Sequence, residues 1–471
     1  MRMFFFVALL PFLSGCGLSQ NSESKCPFNV NISNTVCSVL EVPAKHSELN
    51  GSKIALSYLI LRTNNPLKKD PIVFLQGGPG AGAIVTMADV LAGSSLRNER
   101  DIVLVDQRGT GFSEAHCKDL GLKFLNMMAQ NLTPEEEYAY MLEISKECKS
   151  ELKDKAIDPR VYNTRENAAD IEALRTHLGY EQWIIMGGSY GSRLGLEYMR
   201  TYSKSVSASI LFGLYPQHIN LYDNILGNLS TSLHRVFEAC ANDDKCNRKY
   251  PEIKDRFYNV KDKLISEPLS FEFKNNTFHL NAQDMILLVH QMLYHPILIE
   301  RIPEFINAVE KRDPKPIKAA VEVTAGTMEL INGVMYWSIM SHEELPFVGM
   351  VAMQEDLKNN PHLSPGPAFF ISDIQVQETW LNTKADDSFK EPVSCDLPTL
   401  LINGRFDPVT PVSNAESTLR YLSNGQLVEF SKNSHSLMNN CFFELVESFL
   451  EDPSAKLDDS CAQVSEGFRW R

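Results

Sequence analysis

The stretch WIIMGGSYGSRLG, residues 183–195, runs a short apolar segment into a cluster of glycines around one serine. Two readings are open at this point. The turn either holds Ser189 as a nucleophile between a strand and a helix, or is a glycine-rich loop for a phosphate. A phosphate loop requires G-x-x-x-x-G-K-[ST], or G-x-G-x-x-G with an acidic residue about twenty positions on, and neither is present. What remains is G-x-S-x-G, Gly187 to Gly191. In that pattern the turn is so sharp that flanking positions lack side chains, and the serine hydroxyl is exposed at the end of a strand. Short glycine patterns also arise by chance, so the flanking sequence has to decide.

Several apolar runs share the character of residues 183–187. PIVFLQ (71–76), DIVLVDQ (101–107) and ASILFG (208–213) are short and nearly continuous, as strands buried on both faces of a parallel sheet are. KIALSYLIL (53–61) alternates like a half-buried strand. TRENAADIEALRTHLG (164–179) reads as a helix, with Thr164 as its cap, Ala168, Ile171, Leu174 and Leu178 on one face, and Gly179 at its end. The alternation stops near Pro216. Residues 217–390 read mostly helical, notably over 253–265, 283–293 and 299–311, and LPTLLING (397–404) and GQLVEF (425–430) then restore the strand type. A doubly wound sheet interrupted by a helical insertion accounts for this order, because two sequential domains would leave the last two strands without a sheet to join. The expected division is 26–216 for the first part of the core, 217–390 for a helical lid and 391–471 for the rest of the core.

A serine needs a base to take its proton, and the base needs an acid to orient it. On this kind of sheet the chain order is serine, acid, histidine. TLLINGRFDPVTP puts Asp407 just after a late strand, in a turn fixed by Pro408 and Pro411, and LVEFSKNSHSLMNN puts His435 after the next strand. An oxyanion hole needs two backbone N–H groups aimed where charge develops. Tyr190, after the nucleophile, supplies one. Gly78, in the FLQGGPGAG loop after an early strand, supplies the other. Nothing here calls for a metal or an organic cofactor.

The chain has 471 residues and a formal net charge of −14, which argues against a nucleic-acid partner. MRMFFFVALLPFLSGC begins with a basic residue, continues with an apolar run too short to span a bilayer, and ends like a lipobox. Residues 1–15 are therefore expected to be a lipoprotein signal peptide, Cys16 the lipidated residue and residues 16–25 a tether. Gly17, where an inner-membrane lipoprotein typically has Asp, favours an outer-membrane anchor facing the periplasm or the cell surface. Export also permits disulfides. Pairing of sequence neighbours would join Cys26 to Cys37, Cys117 to Cys148, Cys240 to Cys246 and Cys441 to Cys461, leaving Cys395 odd; spacing alone does not decide the connectivity.

Taken together, GGPG (77–80), DQRGTGFS (106–113), DIEALR (170–175), GGSYG (187–191) and DPVTP (407–411) resemble the proline iminopeptidase and tripeptidyl aminopeptidase group of serine peptidases. The resemblance runs from about Cys26 to Cys461. The chain length, the paired cysteines and EVPAK (41–45) look more like the exported tripeptidyl-aminopeptidase branch. It implies an α/β-hydrolase fold, with a mostly parallel doubly wound sheet and a large helical lid insertion. It also implies a peptide substrate that loses N-terminal residues or short N-terminal peptides. Ser189, Asp407 and His435 carry over as nucleophile, acid and base. Proline iminopeptidases usually have histidine where Gln76 stands, a departure that bears on prolyl specificity more than on a hole built of backbone groups. Asp106 and Arg108 are expected to pin loops. An aminopeptidase also needs a carboxylate for the substrate ammonium; Asp223, Glu238, Asp243 and Asp244 lie early in the insertion, and none stands out. Two other readings stay open: a carboxylesterase on the same scaffold, and a non-catalytic surface binding lipoprotein.

Overall fold

Strands of four to seven residues, buried along nearly their whole length, build the centre of the molecule, because helices cover both of their sides. The computed structural model describes residues 26–65, 69–113, 117, 120–364, 366, 376–377, 379–463 and 467–471. The expected signal peptide (1–15) and the tether with Cys16 (16–25) lie outside the described residues. The strands are β1 (Thr35–Pro43), β2 (Lys53–Leu61), β3 (Ile72–Leu75), β4 (Ile102–Val105), β5 (Trp183–Gly188), β6 (Val206–Phe212), β7 (Leu269–Phe273), β8 (Asn276–Leu280), β9 (Thr399–Gly404) and β10 (Gly425–Phe430). Eight of them form one sheet in the order β1-β2-β4-β3-β5-β6-β9-β10. The β1–β2 and β2–β4 pairs are antiparallel, and every pair from β4 to β10 is parallel.

Alternate residues of the central strands feed two cores. Val73, Leu75, Val103, Val105, Ile185 and Leu211 face one side, where helices Thr164–Leu178 and Tyr190–Tyr202 pack. Ile72, Phe74, Ile102, Leu104, Ile184 and Met186 face the other, beneath helices Ala83–Ala92 and Asn440–Glu451. This is the α/β-hydrolase architecture, and it puts the loops after β3, β5, β9 and β10 at one edge. In open α/β sheets that carboxyl edge is where ligands bind.

Three details depart from the sequence reading. The cap of helix Thr164–Leu178 is Asn163, whose side chain accepts from the Glu166 N–H at 3.0 Å. Thr164 is already helical, and its hydroxyl is used elsewhere. The insertion is not purely helical, because β7 and β8 form an antiparallel hairpin inside it. Finally, helices Leu120–Met128 and Pro134–Asp154, which precede the elbow in sequence, pack with the insertion. The His279 N–H donates to Ala129 O at 3.0 Å, and Gln283 Nε2 donates to Leu132 O at 2.6 Å.

The structure joins Cys26 to Cys37, Cys117 to Cys148, Cys240 to Cys246 and Cys441 to Cys461, with Cα separations of 5.4, 5.1, 5.1 and 5.8 Å. Cys395 is a half-buried free thiol. Asp106 and Arg108 pin loops. Asp106 accepts from the Ile84 and Phe112 N–H groups at 2.9 and 2.8 Å. Arg108 is fully buried, grips Asp170 at 2.7 and 2.6 Å, and donates to Ala44 O and Val161 O.

Where helix Pro134–Asp154 meets helix Ala282–Met292, two carboxyl groups are buried together. Glu137 accepts from Gln283 Nε2 at 3.0 Å, and burial pushes its pKa up to about 7. Burial, then the nearby Glu137 charge, raises Asp284 well above the usual carboxylate range. Acids whose pKa rises on folding stabilise the fold while protonated, and that contribution is lost as pH climbs through the folded value. Thermal scans should therefore show Tm falling by roughly 2–4 °C between about pH 5 and about pH 8, with a shallower slope in Asp284→Asn. An unchanged slope in the variant would assign the pH dependence to other groups.

Candidate active site

Ser189 sits between β5 and helix Tyr190–Tyr202 with φ 53° and ψ −125°, a backbone conformation that L-residues adopt only when held there. Its own N–H donates to Phe212 O at 2.9 Å. Its carbonyl accepts from the Ser192 N–H and hydroxyl at 2.8 and 2.6 Å. The glycines are steric requirements. A Cβ on Gly187 would lie 2.3 Å from Gly191 O, and one on Gly191 would lie 2.0 Å from Leu75 O.

Asp407 follows β9 and is buried. Its Oδ1 accepts from the Val409 and Thr410 N–H groups, each at 2.8 Å, and its Oδ2 accepts from the Thr410 hydroxyl at 2.6 Å. The same Oδ2 lies 2.7 Å from His435 Nδ1. Burial alone would raise the Asp407 pKa, but the His435 ring and the Thr410 hydrogen bonds outweigh it and hold the acid below the usual carboxylate value. Thr410, unassigned from the sequence, also sits 3.1 Å from His435 Nδ1.

Ser189, His435 and Gly78 line one cavity of about 580 Å³. Gly77 cannot serve the oxyanion hole, since its N–H donates to Gln76 Oε1 at 2.8 Å. Gln76 is braced in turn by Thr86 and Gln107. The next peptide, Gly78, lies beside Ser189 in the cavity wall, and the Tyr190 N–H opens the first turn of its helix, where no intrahelical acceptor exists. The structure therefore brings Ser189, His435, Asp407, Gly78 and Tyr190 to one edge of the sheet. Asp223, Glu238, Asp243 and Asp244 do not line the cavity: Asp223 accepts from the Gly349 N–H, and Asp243 caps a short helix.

Residues 70–248 match the model of the alpha/beta hydrolase fold, and residues 370–461 match that of the TAP-like proteins. A probable proline iminopeptidase of Leptolyngbya boryana is 31% identical over 33% of this chain and 34% of its own length. A probable proline iminopeptidase of Streptomyces coelicolor is 29% identical over 43% of this chain and 51% of its own. The chain belongs to the α/β-hydrolases of the proline iminopeptidase and TAP-like group. It spans only about a third to a half of these curated relatives' length. A solved α/β-hydrolase from a Medee basin deep-sea metagenome library covers 89% of this chain and 99% of its own at 14% identity and a TM-score of 0.41.

In this α/β-hydrolase the insertion touches the site at three places. Ile331 bridges Ala81, and the Asn332 N–H donates to Gly80 O at 2.9 Å, which holds the glycine loop. On the histidine side, the Ser436 N–H donates to Tyr294 O at 2.8 Å and the Ser436 hydroxyl lies 2.6 Å from His295 Nδ1. The Tyr294 and His435 rings meet edge-on at 4.9 Å between centroids. Third, consecutive buried acids of the insertion grip the elbow and its neighbouring helix. Glu343 accepts from the Thr164 N–H and hydroxyl at 2.6 and 2.5 Å, and the Thr164 hydroxyl lies 2.9 Å from the Tyr190 hydroxyl. Glu344 pairs with the buried Arg193 at 2.8 Å and with Lys390 at 3.2 Å. Burial opposes the Glu344 charge, yet these two cations keep its pKa below the ordinary value. No local motif marks Glu343, Glu344 or Tyr294; each takes its role from long-range packing.

Gly191→Ala should lower stability by ~3 kcal/mol in denaturant unfolding, because a backbone carbonyl cannot yield to the added carbon. Asp407→Asn should keep the fold by circular dichroism and lower kcat by about 10⁴-fold on any substrate the wild type turns over. Wild-type turnover in that variant would remove Asp407 from the machinery.

Proposed function

We propose that this hydrolase is a serine peptidase that releases N-terminal residues or short N-terminal peptides through an acyl-enzyme on Ser189. The observation that carries the reading is the Asp407–His435 contact of 2.7 Å, set at the cavity onto which Ser189 opens. Asp407 accepts the Nδ1 proton and so fixes the tautomer that leaves Nε2 free to take the Ser189 proton. The alkoxide adds to the scissile carbonyl, and the Gly78 and Tyr190 N–H groups stabilise the charge that forms on its oxygen. His435 then returns the proton to the leaving amine. Water, deprotonated by the same ring, hydrolyses the acyl-enzyme.

The peptide preference is supported by the proline iminopeptidase relatives and the TAP-like match. A second reading, ester hydrolysis at the same serine, is favoured by the cavity wall, which is mainly apolar. The N-terminal lipobox pattern further supports attachment to a membrane through Cys16, with the enzyme on the exported side.

A fluorophosphonate probe should label the wild type and not Ser189→Ala; equal labelling of both would defeat the nucleophile. Aminoacyl-, prolyl- and tripeptidyl-anilides assayed beside p-nitrophenyl esters should include an anilide that the wild type turns over and that Ser189→Ala turns over at least about 10³-fold more slowly. Ester turnover without any anilide turnover would favour the second reading.

A further inference from the structure

The wall of the Ser189 cavity has a consistent chemistry. Phe124 and Met141 come from the two helices before the elbow, while Met328, Tyr336, Trp337 and Met340 come from the insertion. Met87 and Met438 add two more thioethers. Methionine is flexible and polarisable, so a wall rich in it adapts to apolar groups of different shape. At the rim, Val90 and Leu330 line the same cavity while remaining 44% and 46% exposed, so the entrance itself is apolar. Among the described residues that line the cavity, the titratable ones are histidines and tyrosines, with no Asp, Glu, Lys or Arg.

An ammonium beside the scissile carbonyl would have to shed water into this wall without a carboxylate from those residues, which is costly. An apolar group entering the same space gains in proportion to the area it buries. A cavity of about 580 Å³ also falls within the usual range for sites that enclose a whole ligand.

We infer that the acyl half of the substrate is a bulky, uncharged, apolar group that fills this cavity, with any free amine lying beyond its rim. The inference rests on the acyl-enzyme reading above and narrows it to acyl groups longer than one free amino acid. Two sources share this chemistry. One is a hydrophobic residue whose own amine is already acylated by a preceding residue, and the other is a medium-length aliphatic acyl chain. In both, the acyl C–O or C–N bond breaks as the Ser189 ester forms, the leaving group takes its proton from His435, and water supplies the atoms for deacylation.

The test keeps the leaving group constant and varies the acyl side. One arm compares leucyl and phenylalanyl p-nitroanilides as free amines, as N-acetyl derivatives and at the end of a tripeptide, with aspartyl and lysyl counterparts. The other arm compares p-nitrophenyl octanoate with the acetate. We expect kcat/KM for the blocked or extended apolar acyl groups to exceed the free-amine and charged ones at least tenfold in one arm or both. A response in one arm identifies the source, and a response in both shows that the cavity takes either acyl group. Leu330→Lys should reduce the octanoate-to-acetate ratio, or the apolar-to-aspartyl ratio, at least fivefold. Best turnover of free leucyl, phenylalanyl or prolyl anilides, or a profile flat within threefold, overturns the inference while fluorophosphonate labelling of Ser189 persists. Absence of that labelling in the wild type instead overturns the acyl-enzyme reading itself.

Discussion

The approach of helix Tyr190–Tyr202 to the end of β3 is the constraint on which the rest of the site depends. Gly191 packs so closely over the Leu75 carbonyl that even a methyl group has no room. That contact, with Gly187 facing Gly191, lets the chain turn within one residue and leaves Ser189 in a conformation it would not choose alone. The glycine loop after β3 comes to the same place, since a Cβ on Gly77 would lie 2.9 Å from that of Ser189. One close contact between strand and helix thus brings the Ser189 side chain and the peptides of the glycine loop to one place.

Asp407 and His435 are held differently, by polar contacts that include one across 28 positions of sequence. Asp407 is saturated with donors, so it can remain charged in a buried place and act as a fixed orienting group for His435. The insertion contributes as much to this geometry as the sheet does. It ties down the glycine loop through Ile331, the elbow through Glu343 and Glu344, and the histidine loop through Tyr294 and His295. An insertion so attached is part of the framework that holds these loops in register at the sheet edge.

Much of the fold was legible because buried parallel strands leave a dense apolar signature. GQLVEF at 425–430 coincides with β10, and KIALSYLIL at 53–61 coincides with β2. The elbow and the two turns carrying Asp407 and His435 were legible for a related reason: each is a short string fixed by local geometry at the end of such a strand. What escaped was set by tertiary contact. Asn163 rather than Thr164 caps its helix because the Thr164 hydroxyl is drawn off by Glu343, a residue far away in sequence. The packing of helices Leu120–Met128 and Pro134–Asp154 against the insertion, and the apolar wall assembled from both, have no local pattern at all.

The adjacency of β6 and β9 bears on how the molecule is made. Ser209 pairs in register with Thr399, so two neighbouring strands of one sheet are separated by the whole insertion. As the chain emerges from the ribosome, or crosses a membrane unfolded, β6 has an open edge until that long segment has passed. Exposed strand edges of this kind invite pairing with other chains. The sheet closes and Asp407 and His435 arrive only at the end, so a nascent chain carries the Ser189 turn long before the residues that meet it at the sheet edge.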